Sequence, residues 1–181
     1  MKIKSNCYPK EKRVSIRVGS FLFLVAFLMT SFVTDAAAKK VKFSGEWTLN
    51  EEKSYIAEYG ETMAVTKMII NQKGKKLTIK KFGTSQEGES YNYTEMYTLD
   101  GKECENIILE TTKKKSTAIW SDDKQSLTIT STILFEFDGN ELEVTLIEIF
   151  KFTEDGEVLS VNQKASSDYG DLENTLVYDK K

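Results

Sequence analysis

Residues 39–181 contain no histidine, no arginine, no proline and a single cysteine. Each absence removes a class of chemistry. Without His there is no Ser-His or Cys-His nucleophile pair, and no imidazole to hold a metal. Without Arg there is no planar fork to grip a phosphate, a carboxylate or a guanine edge. Cys104 alone can form no disulfide within this segment; it reads as a small, half-buried strand residue, with a redox or intermolecular role as the alternative. Charge is unbalanced toward acid, with 19 Lys against 26 Asp and Glu. That disfavours nucleic acid, whose binding depends on neutralising phosphates. There is also no P-loop, no dinucleotide-binding glycine pattern and no Gly-x-Ser-x-Gly. No cofactor and no metal are expected.

The first 38 residues differ from the rest. Lys2, Lys4, Lys10, Lys12, Arg13 and Arg17 precede an uncharged apolar run at 21–33, and Ala36-Ala37-Ala38 follows it. A basic stretch, an apolar stretch and small residues, in that order, make an export signal. As a helix the apolar run would rise only about 20 Å, short of a hydrocarbon core of roughly 30 Å. Residues 1–38 are therefore read as a cleaved signal peptide and 39–181 as one domain. The product would be secreted or periplasmic, with no integral membrane association after cleavage. An uncleaved anchor is the other reading.

What remains is a series of short alternating segments divided by turn residues, an all-β signature. Phe43, Gly45, Trp47 and Leu49 share one face of the first. Further strands are expected at 63–72, 76–82, 91–99, 103–111, 116–121, 127–137, 142–152, 158–165 and 174–178. Asp100-Gly101, Asp138-Gly139 and Asp155-Gly156 are hairpin-turn signals. The lysine run 113–115 is assigned to a solvated turn, and 50–61, 83–90 and 168–173 to longer connections. Closing such a sheet removes its exposed edges. The expected architecture is a single antiparallel meander β-barrel of 8–10 strands.

Polar residues at positions where alternation points inward are the candidate site. Glu95 shares a face with Tyr91, Tyr93 and Tyr97, and Glu148 lies between Leu146 and Phe150. Ser131 falls between Ile129 and Ile133, and Gln163 between Val161 and Ala165. An ionised carboxylate in a dry core is costly unless paired or hydrogen-bonded; a wet or ligand-filled cavity removes that difficulty. Tyr91, Glu95, Tyr97, Ser131, Glu148 and Gln163 are thus candidate ligand-binding residues. A bulge that flips the register, or an outward-facing sheet surface, accounts for the same pattern. Trp47 and Trp120 read either as core or as rings that stack on a ligand. The acidic pairs at 51–52, 122–123 and 154–155 sit in turns and lack the spaced oxygens of a calcium loop.

Ser44-Gly45-Glu46-Trp47-Thr48-Leu49-Asn50 with Lys53-Ser54, and the terminal Val177-Tyr178-Asp179-Lys180-Lys181, resemble the bacterial exported lipocalin-like domains. The resemblance implies a calycin-type, lipocalin-like barrel with Gly45-x-Trp47 on its first strand and the indole at the closed end. It also implies an apolar or amphipathic small molecule held inside. Lipocalins place a late Arg over that Trp; with no Arg in 39–181, another group must cover the indole here.

These readings favour an exported, non-catalytic barrel that binds a small hydrophobic or amphipathic ligand. In it the 50–61 loop would be a lid, and Glu95 or Glu148 would meet a polar group. The alternative is a structural or interaction protein of the cell envelope, with a filled barrel and no ligand. A hydrolase using Glu95 and Glu148 is the third reading, and the chain is expected not to be an enzyme.

Overall fold

The computed structural model describes residues 40–58, 65–85, 88–137, 140–153 and 156–181. The expected signal peptide, the Asp138-Gly139 turn and Asp155 lie outside the described residues. Ten strands follow one another: β1 (Gly45–Leu49), β2 (Lys67–Lys73), β3 (Lys76–Thr84), β4 (Ser90–Thr98), β5 (Cys104–Ile108), β6 (Thr112–Trp120), β7 (Ser126–Phe137), β8 (Asn140–Thr153), β9 (Val158–Ser167) and β10 (Gly170–Lys180). They form one antiparallel sheet in the order β4-β3-β2-β1-β10-β9-β8-β7-β6-β5. The meander runs in chain order, and β10 returns to pair with β1 through Trp47↔Lys180 and Leu49↔Tyr178.

The two ends of the sheet, β4 and β5, share no ladder. Asn106 bridges them instead. Its Oδ1 accepts from Met96 N at 2.9 Å and its Nδ2 donates to Met96 O at 3.1 Å, so one amide imitates a backbone pair. The result is a nearly closed all-β barrel.

Four boundaries depart from the sequence reading; one is the end of β5, which stops at Ile108 because Leu109 and Glu110 turn the chain with positive φ. β6 begins at Thr112, so 113–115 is strand and not a solvated turn. The register Lys114↔Ile133, Ser116↔Ser131 runs through it without a slip, which sends Lys114 inward. β10 begins at Gly170, and 168–173 is therefore not a long connection. β2 begins at Lys67, later than expected.

The segment expected as a lid is wall where it is described. Tyr55 N donates to Thr175 O and Thr175 N to Tyr55 O, both at 2.8 Å, and Ser54 Oγ accepts from Val177 N at 2.9 Å. Residues 54–55 thus continue the line of the short β1 along β10.

Alternation divides the interior into two apolar clusters. The larger contains Phe43, Trp47, Met68, Ile79, Tyr97, Leu127, Phe150, Leu159 and Tyr178, all buried. Its end of the barrel is shut by packed rings: Phe43 stacks on Trp120 at 5.7 Å and meets Phe152 at a tilt at 4.9 Å, and Trp47 lies tilted 5.6 Å from Phe152. Trp47 folds over Gly45, where a Cβ would sit in ordinary contact with the ring, 3.4 Å from Nε1. Its Nε1 donates to Phe43 O at 2.9 Å. The cation above this indole is Lys180, whose Nζ stands 5.9 Å from the ring centroid. The smaller cluster has Ile108, Ile133, Leu146 and Ala165 buried, with Tyr93, Phe135, Val144 and Leu172 only half-buried around it.

Candidate functional site

Between the two clusters runs a belt of buried polar side chains, one or two from each of seven strands. Lys81 comes from β3, Glu95 from β4, Lys114 and Ser116 from β6, Ser131 from β7, Glu148 from β8, Gln163 from β9 and Asn174 from β10. Each occupies an inward slot of its strand's alternation. β3, for example, buries Leu77, Ile79, Lys81 and Gly83 and leaves the residues between them half-exposed.

Four of these groups form a closed ring of charge. Lys81 Nζ lies 2.8 Å from Glu148 Oε1 and 3.0 Å from Glu95 Oε2. Lys114 Nζ lies 2.6 Å from Glu95 Oε1 and 3.2 Å from Glu148 Oε2. Every ammonium touches both carboxylates, and every carboxylate both ammoniums. The belt continues from there: Gln163 Nε2 donates to Glu148 Oε1 at 3.3 Å, Asn174 Nδ2 to Gln163 Oε1 at 3.4 Å, and Ala57 N to Asn174 Oδ1 at 3.0 Å. Ser116 and Ser131 share a hydrogen bond of 2.9 Å.

Electrostatics follow from this geometry. Burial raises the pKa of Glu148, but Lys114 and Lys81 outweigh it and bring the carboxyl down to about 2. Glu95 is lowered too, by Lys114 and Lys81 acting against burial. Burial disfavours the charge on Lys81, yet the two carboxylates hold its pKa well above the ordinary value. Tyr93 is pushed far upward by burial, with Lys81 pulling the other way. Burial also raises Tyr97, and the facing carboxylates add to it. At neutral pH Glu95 and Glu148 are therefore carboxylates, Lys81 is an ammonium, and the phenols of Tyr93 and Tyr97 are protonated.

The predicted residues separate into three groups. Glu95, Ser131, Glu148 and Gln163 do face the interior and belong to the belt. The uninterrupted registers Ile129↔Glu148 and Glu148↔Gln163 leave no bulge there. Tyr91 stands on the open side, stacked on Tyr93 at 6.1 Å. Trp47, Tyr97 and Trp120 lie on the opposite side, in or against the packed cluster. Lys81, Lys114, Asn106 and Asn174 escaped the sequence reading. The signal for two of them was present: Lys81 is in phase with Leu77 and Ile79, and Lys114 with Ser116, Ala118 and Trp120.

A nearly closed, ten-stranded antiparallel meander β-barrel is the class that this topology defines. Among solved structures, the chain is similar to the zebrafish ileal bile acid-binding protein in complex with cholic acid, with a TM-score of 0.52 and 16% identity over 77% of this chain and 98% of that one. At that identity the likeness is one of fold. No protein-family model matches the chain, and no curated protein matches it.

Proposed function

We propose that this protein is an exported, non-catalytic carrier that binds a small apolar or amphipathic molecule in the open half of its barrel. One observation carries the reading. Tyr91, Tyr93, Phe135, Val144 and Leu172 occupy inward-facing slots, yet all remain half-buried. Apolar side chains that face a barrel interior but still touch water line a space that a ligand can fill. The structural neighbour's complex with cholic acid shows that a barrel of this fold accepts an amphipathic molecule. In this reading Tyr91 is wall, and Ser131, Glu148, Gln163 and Glu95 are floor. Trp47, Tyr97 and Trp120 stiffen the barrel beneath. Neither carboxylate holds a proton at neutral pH, which a general acid would need.

A polarity-sensitive dye titrated into the purified protein tests the proposal. Saturable binding at micromolar dye is expected, with competition by a fatty alcohol. Val144→Trp should fill the open half and abolish binding while the unfolding temperature holds. No saturable response would favour the filled structural barrel, for which the packed half is the supporting observation. Export is tested separately by N-terminal sequencing of protein recovered outside the cytoplasm, where Lys39 should be the first residue.

A further inference from the structure

The charged ring also bears on which head group the open half can accept, an inference that rests on the carrier reading above. Among the described residues, the buried charged side chains are Lys81, Lys114, Glu95 and Glu148. Their four contacts, 2.6–3.2 Å, close on one another and leave no charge over. An ionised head group entering from the open end would find no unpaired opposite charge. To gain one it would have to break a contact of the ring. That would strand a buried carboxylate or ammonium, the costly way to disturb a buried pair.

The belt's remaining groups are neutral and two-sided. Gln163 donates to Glu148 and accepts from Asn174, while Ser116 and Ser131 bond to each other. Hydroxyls and amides can both donate and accept, so they suit a hydroxyl or carbonyl partner. The wall above them is phenolic. Tyr91 lies directly over Gly83, where a Cβ would come within 2.3 Å of its hydroxyl oxygen, so the ring occupies space that only glycine leaves. Tyr93 stacks beside it.

We propose that the open half selects uncharged amphiphiles that insert a hydroxyl or carbonyl, and discriminates against the matching carboxylates and ammoniums. The ring sets this preference by being electrically complete. A barrel whose interior carried Lys81 and Lys114 without their glutamates would prefer carboxylates.

Calorimetric titration of the purified protein with decanol and with decanoate at pH 8 tests it. Decanol should bind at least about tenfold tighter than decanoate. Glu148→Gln leaves the ring with an excess positive charge and should narrow or reverse that ratio. Lys81→Gln leaves an excess negative charge and should admit decyltrimethylammonium, which the wild type rejects. Decanoate binding as tightly as decanol in the wild type overturns the selectivity and leaves the carrier reading standing. So does an unmoved ratio in a folded Glu148→Gln protein. If neither probe binds saturably below about 100 μM, the carrier reading falls as well. The wild-type ratio decides the question even where a ring variant does not fold.

Discussion

On one side of the charged ring most inward side chains are fully enclosed; on the other several of them stay half-buried. The packed half is occupied by Phe43, Trp47, Tyr97, Phe150 and Tyr178, with Trp120 and Phe152 against them. The open half draws on Ile108, Ile133, Leu146 and Ala165, with Tyr93, Phe135, Val144 and Leu172 only half-buried against them. The strands are the same ones, β6 to β10, continuing past the ring. A barrel of ten strands is wider than the eight-stranded size that side chains just fill. Burial, and not topology, separates the two halves: most rings of one are enclosed, while Tyr93 and Phe135 in the other stay half-buried.

Between them the ring serves as a partition. Buried ion pairs are poor evidence of stability, since apolar residues of similar volume often do as well. Here the pairs set a polar boundary at a fixed depth, below which rings pack and above which water reaches the lining.

Substitutions can test this contrast. Trp47→Ala removes the central ring of the packed half and its bond to Phe43 O, and should cost about 3–5 kcal/mol in urea unfolding. Leu172→Ala, in the open half, should cost less than about 1.5 kcal/mol, because Leu172 is only partly buried. Equal losses would mean that the halves are not packed differently.

Lys114→Met strands two carboxylates with a single ammonium and should cost roughly 3 kcal/mol. Replacing all four ring residues together by Met and Leu should recover most of that loss. If the fourfold variant is no better than the single one, the ring is not the self-contained unit described.

Acid should expose the ring in the intact protein. The folded pKa of Glu148, about 2, lies below its ordinary 4.5, and Glu95 is also lowered. Their contribution is complete above about pH 4.5 and is lost as pH falls toward 2. Lys81 is raised, so its contribution is complete below its ordinary value and is lost only on the strongly alkaline side. Urea midpoints should therefore be flat from about pH 6 to 9 and fall steeply in acid, on the order of 3 kcal/mol for Glu148. A fourfold ring variant should show a shallower acid slope.

The smallest effect belongs to Lys180. Lys180→Ala removes the ammonium over Trp47 and should cost about 0.5–1 kcal/mol, with Lys180→Arg restoring it. Full recovery by a neutral methionine would show that the stem covers the indole and the charge does not matter.

Much of the fold was legible because alternation is a local property. Each strand shows its inward face without reference to any other, which is why Glu95, Ser131, Glu148 and Gln163 could be placed inside. The lysine run 113–115 was misread for the same reason. Three adjacent lysines look solvated, and a lysine is almost never fully buried unless paired. The partners that justify burial are remote: Glu95 is 19 residues from Lys114, and Glu148 is 67 residues from Lys81. Nothing within either strand announces them. Asn106 was hidden likewise, because its task exists only where β4 and β5 fail to pair.

Strand phase, turn positions and the absence of His and Arg belong to the chain read residue by residue. From them came an all-β barrel, the Gly45-x-Trp47 strand and the set of inward polar groups. Barrel closure decided which of those groups meet. It brought four charges from four strands into opposite-sign contacts of 2.6–3.2 Å and put Lys180 where an arginine was looked for. It also split the interior into a filled half and an open one. These are contacts between distant segments, fixed by interstrand register and by the volume that side chains must fill, and such quantities arise only when the sheet curls round to meet itself.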